Sequence, residues 1–103
     1  MELEINKKII EIINQDAKEI DSIEKFSSFV NSVEIFPSSF DAKYKEKYIN
    51  IWSTMENLNA YILNLLEESE SKESFNKKWN NEYKELAMKS ITDFIDFINK
   101  IAS

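Results

Sequence analysis

The chain contains no cysteine, no histidine, no glycine and no arginine, and it has one proline. Each absence bears on a class of function. Without cysteine there is no disulfide framework and no thiolate metal site, so the composition does not point to an oxidising compartment. Without histidine, the side chain most used as general base and metal ligand is missing. Without glycine neither a dinucleotide-binding fingerprint nor a P-loop can form, because both need close backbone approach or turn conformations that glycine adopts at low cost. All 13 basic residues are lysine, set against 19 acidic ones, for a net charge of −6. Arginine is the preferred residue for bidentate contact with phosphate and guanine. Its absence from an acidic chain argues against nucleic acid and for a basic protein as the electrostatic complement.

What is present suits one packed domain. At 103 residues the chain can build one core and not two of ordinary size. With 43% hydrophobic and 13% aromatic residues it has the material of a globule and not of an acidic disordered tail. We therefore expect a single helical domain over 1–103. The longest near-apolar stretch, Ala60 to Leu66, is interrupted by Asn64 and is far short of a membrane span. The opening "MELEINKK" lacks the basic-then-apolar order of a signal peptide, so the cytoplasm is the expected location.

Hydrophobic period predicts helices throughout. Leu3, Ile5, Ile9, Ile12, Ile13 and Ala17 recur at steps of three and four and predict a first helix with one apolar face. Asp21 and Glu24 stand at capping-box spacing, and Ile23, Phe26, Val30 and Val33 continue the pattern, predicting a second helix from about Ser22 to Glu34. The apolar stripe stays in register across "QDAKEIDS", so one long helix is the alternative to a break near Asp21. Pro37 is expected to stop the second helix, and Ser38 with Asp41 to open a third whose face runs from Phe40 through Tyr44, Tyr48, Trp52 and Met55 to Leu66. "EESESKES", Glu67 to Ser74, reads as a loop. A last helix follows from about Glu73 to Ile101, with Phe75, Trp79, Tyr83, Leu86, Ile91, Phe94, Ile95, Ile98 and Ile101 facing inward. The fold class is all-α: an antiparallel bundle of four helices, or three long ones if the first two are continuous.

The candidate partner-binding residues fall in three places. Glu67, Glu68, Glu70 and Glu73 form the densest charge, opposed by Lys72 alone; the plain reading is a solvated loop, the functional one an acidic docking surface. Asp16, Glu19, Asp21 and Glu24 form a second acidic group at the first turn, two of which can serve as caps. Phe36 belongs to no helical stripe and precedes the proline directly, so it is either an exposed anchor or a lid over the bundle. Tyr48, Trp52, Trp79 and Tyr83 are expected in the core with their polar ring atoms near the surface. The carboxylates lack the Glu-x-x-His pairs of a di-iron bundle and the glycine-bearing loop of a calcium site, so no metal or cofactor is expected. Neither a catalytic set nor a small-molecule substrate is indicated.

A short first helix, then "SIEKFSSFV" at 22 to 30, then a long third helix carrying "YINIWSTMENL" at 48 to 58, resembles the small acidic all-helical immunity proteins with which bacteria neutralise their own nuclease toxins, those of colicin-D type and of contact-dependent inhibition systems. The resemblance is one of size, charge and helix order. The recognition segment of colicin E-type immunity proteins has no counterpart here. What the resemblance implies is a non-enzymatic inhibitor that covers the cationic active-site or nucleic-acid-binding cleft of a nuclease toxin. A phage-encoded acidic mimic of nucleic acid and a self-assembling helical adaptor are the alternative expectations.

Overall fold

The computed structural model describes residues Glu2–Ile101. They form an all-α bundle of four helical arms. The first two are α1 (Glu2–Lys18) and α2 (Ile23–Ser32). After a single 3-10 turn (Ala42–Tyr44) comes α3 (Lys45–Glu68). In the last arm α4 (Lys72–Lys78) passes through a π-helical turn (Trp79–Tyr83) into α5 (Lys84–Ile101). Tyr44 meets Phe97 and Tyr61 meets Tyr83, so α3 and the last arm run antiparallel. Trp52 reaches Val30 and Asn59 reaches Ser27, which sets α3 antiparallel to α2. The α1 helix lies against α5, where Asn14 donates to Asn99 at 3.3 Å.

The first two helices are separate, with the break in the expected place. The cap differs by one residue: the Ser22 hydroxyl, not Asp21, accepts the Lys25 N–H, at 3.3 Å. Asp21 instead sits 3.5 Å from the Lys25 ammonium.

The end of α2 departs from expectation. It stops at Ser32, well before Pro37, which only opens a turn closed by the Phe40 N–H to the Pro37 carbonyl at 3.1 Å. A helix end leaves carbonyls without intrahelical partners, and glycine in the left-handed region commonly resolves this. With no glycine in the chain, and no residue at positive φ among those described, local bonds from the Val33 and Glu34 N–H groups reach the Phe29 and Asn31 carbonyls, and α3 caps the carbonyls of Val30 and Val33. The Tyr48 hydroxyl donates to the Val33 carbonyl at 2.7 Å and the Trp52 Nε1–H to that of Val30 at 2.8 Å. The polar atoms of both rings are thus turned onto α2, and not toward the surface as expected.

The third helix also starts later than the Ser38–Asp41 spacing suggests. Asp41 caps the 3-10 turn by accepting the Lys43 N–H at 3.0 Å, and Phe40 is buried from the preceding turn, not as the first rung of the helix. At the other end the acidic loop contracts. Glu67 and Glu68 belong to the last turn of α3, and Ser71 caps α4 by accepting the Ser74 N–H at 3.0 Å.

Three inward assignments are corrected, Leu86, Ile5 and Ile12. Leu86 is 53% exposed while its neighbour Ala87 is fully buried. The π turn inserts about one residue relative to α-helical winding, so the inward positions advance from Trp79 to Ala87, Ile91, Phe94 and Ile98. In α1 the buried stripe is Ile10, Ile13 and Ala17, while Ile5 and Ile12 are exposed. At about 100° per residue, Ile5 and Ile12 lie roughly 120° from the middle of that stripe. The side chain of Leu3, also expected there, lies outside what the structure describes. The core joins α2, α3 and the last arm through Ile23, Phe26, Tyr48, Met55, Phe75 and Phe94, each completely or almost completely enclosed, at about 1.5–3 kcal/mol per large apolar side chain, and α1 adds Ile10, Ile13 and Ala17 at its edge.

Candidate protein-binding surface

The up-and-down course of the arms brings the α1–α2 turn and the α3–α4 turn to one end of the bundle. Two acidic groups more than forty residues apart in the sequence become neighbours there. The Lys72 ammonium lies 3.7 Å from the Glu24 carboxylate and ties the start of α4 to the start of α2. Glu67 and Glu68 project from the last turn of α3, Glu70 from the turn and Glu73 from the first turn of α4, all exposed. None of these four has a lysine within salt-bridge distance among the described residues. The result is an end whose negative charge is largely uncompensated and available to steer an incoming cation.

The second group divides. Asp21 and Glu24 are paired with Lys25 and Lys72. Asp16 and Glu19 stand farther along, lining an open cleft of about 300 Å³ between α1 and α2 with Phe29 and Ser32. Glu19 accepts a hydrogen bond from Gln15 at 3.4 Å. Among the described residues no group of three or more carboxylates is placed to hold a metal ion. No helix there is long and apolar enough to cross a membrane.

Phe36 is half-buried. Its ring meets Phe40 at 5.8 Å and Tyr48 at 5.1 Å, both edge-on, which is the packing of a lid over the end of the core. The side chain that projects from this loop is Ile35, 82% exposed. Beside it α1 presents Ile12, 61% exposed, and the two flank a second cleft of about 230 Å³ whose walls include Ile9, Val33 and Pro37. Phe36 was favoured because it belongs to no helical stripe and directly precedes Pro37. Ile35 sits at a bend in the irregular segment between α2 and the Pro37 turn, where Val33 and Phe36 turn to the core and Glu34 and Ile35 stay outside.

A further exposed group surrounds the π turn, where Tyr61, 57% exposed, meets Tyr83 edge-on at 6.3 Å beside the exposed Leu86. The Tyr83 hydroxyl is held above its ordinary range by desolvation first, then by the Glu82 carboxylate and Tyr61. Buried Trp79 and Asn59 lie in this half of the bundle, and the Trp79 Nε1–H and Asn59 Oδ1 have no hydrogen-bond partner among the described residues.

These features define a class: an all-α bundle with one acidic end and aliphatic side chains exposed along one seam. Compared with known proteins, the chain matches no family model, no curated protein and no solved structure.

Proposed function

We propose that this chain is an inhibitor of the immunity-protein kind, which neutralises a nuclease toxin by covering its cationic active-site or nucleic-acid-binding cleft. The observation that carries the reading is the convergence of Asp21 and Glu24 with Glu67, Glu68, Glu70 and Glu73 at one end of the bundle, the last four without an ion-pair partner among the described residues. A nuclease binds a polyanion and so carries a basic cleft; a rigid acidic surface complements that cleft and needs no chemistry of its own. The net charge of −6 and the lack of histidine, cysteine and arginine fit a role of binding and not of catalysis. In this reading the protein works in the cytoplasm, beside the nucleic acid it protects, with no cofactor and no small-molecule substrate.

The test is co-purification from the native host, then a nuclease assay with the recovered partner. Changing Glu67, Glu68, Glu70 and Glu73 together to Gln is expected to lower the association rate about tenfold or more at low salt, with the difference closing as ionic strength rises. Recovery of no basic nuclease would refute the reading. Inhibition and association rate both unchanged in the variant would remove this end from the interface.

A further inference from the structure

We propose that the seam between α1 and α2 is a docking groove for one cationic, amphipathic segment of a partner protein, with its apolar side chains over Ile12 and Ile35 and its positive charge against Asp16 and Glu19. The proposal deepens the inhibitor reading and rests on it, since it names a second contact surface for the same basic partner.

Because α1 leans on α5, the seam toward α2 is left open as two clefts, of about 230 and 300 Å³. Asp16 and Ser32 line both, so the clefts are continuous. One end is apolar: Ile12 and Ile35 stand largely in solvent over walls of Ile9 and Val33. The other end is acidic. Lys25 also borders it, but its ammonium lies 3.5 Å from Asp21, whereas Asp16 and Glu19 have no ion-pair partner among the described residues. A groove that is apolar at one end and anionic at the other fits a segment with the opposite charge and the same division. Charge also selects among occupants: a second copy would bring another net −6 against this one, whereas a lysine- or arginine-bearing segment is attracted.

The probe is a synthetic helical peptide with leucines on one face and lysines at one end, titrated into the isotopically labelled full chain. Controls are the same peptide with glutamate in place of lysine and a lysine-only peptide. Amide shifts are expected at Ile12, Asp16, Ser32 and Ile35, with neither control binding comparably. Ile12→Ser with Ile35→Ser should weaken binding about tenfold or more, and Asp16→Asn with Glu19→Gln several-fold at low salt, at unchanged melting temperature because these side chains are exposed. Shifts that map elsewhere, equal binding of the lysine-only peptide, or full affinity in the isoleucine variant would overturn the proposal. So would a dimer in sedimentation that the isoleucine variant dissolves, which would assign the groove to a second copy. A nuclease inhibited equally by the isoleucine variant, but not by the Glu67–Glu73 variant, refutes the groove and leaves the inhibitor reading standing. Groove-dependent peptide binding by a chain that recovers no nuclease does the reverse.

Discussion

Replacing Tyr48 with phenylalanine isolates the device that ends α2. Tyr48 is completely buried, and its hydroxyl donates to the Val33 carbonyl at 2.7 Å. Phenylalanine keeps the edge-on ring contacts, 5.1 Å to Phe36 and 5.2 Å to Phe94, and removes only the O–H. A typical hydrogen bond contributes about 0.5–1.5 kcal/mol net, but here the orphaned carbonyl stays enclosed and incurs its desolvation cost, so the expected loss is about 1–3 kcal/mol. Against a usual total of about 5–15 kcal/mol that is a large fraction, and it corresponds to about 4–8 °C in Tm per kcal/mol for a domain near this size. Urea unfolding followed by circular dichroism measures it, with the midpoint falling at constant slope. Trp52→Phe removes the donor to Val30 from a half-buried ring and should cost about 0.5–1.5 kcal/mol. Because both donors serve one helix end, the double variant should depart from additivity by about 0.5 kcal/mol or more. A Tyr48→Phe protein within about 0.5 kcal/mol of the parent would refute the claim that α3 caps α2.

Two further outcomes test other parts of the fold. Burial pushes the Tyr48 hydroxyl from 10.0 up to about 12. The folded state therefore favours the neutral ring; that stability is complete below about pH 10 and is lost as the pH rises toward 12, to a total of about 2–3 kcal/mol. The parent's advantage over Tyr48→Phe should shrink across that window in parallel denaturant titrations, and a constant difference would contradict the assignment. Deleting exposed Asn81 from the π turn should restore ordinary winding with both apolar flanks still inward, at a cost under about 1 kcal/mol. Deleting exposed Asn57 from the middle of α3 turns half that helix by about 100° and should abolish cooperative unfolding. Equal damage from the two deletions would show that the π turn does not hold an extra residue.

The four arms were legible because each carries its apolar stripe at helical spacing. The break before α2 was marked by the Asn-, Asp- and Ser-rich run ahead of it. The end of α2 was not, since two of its partners are an O–H and an N–H from α3, and no local pattern reports a cap that distant. The π turn was encoded, though overlooked: Phe75, Trp79, Tyr83, Ala87 and Ile91 keep a strict four-residue step that 3.6-residue winding cannot hold on one face. In α1, isoleucines at 5, 9, 10, 12 and 13 span too wide an arc to choose a face, and docking on α5 decides it. The two acidic groups were visible as runs of charge, but the meeting of Asp21 and Glu24 with Glu67 to Glu73, and the separation of Asp16 into the α1–α2 cleft, are properties of the topology. Phe36 stood out because it lies outside every helical stripe and precedes Pro37, whereas in the loop its ring packs on Phe40 and Tyr48 and Ile35 is the side chain left exposed.

The borrowed ending of α2 also shapes how the molecule fluctuates. The carbonyls of Val30 and Val33 are held only while the first turns of α3 stay docked, so when α3 lifts α2 keeps its local bonds to the Phe29 and Asn31 carbonyls and loses the rest of its ending. In amide hydrogen exchange the last turn of α2 should lack a separate low-energy opening and share that of Tyr48 and Trp52, so that a helix end and its neighbour breathe as one cooperative unit.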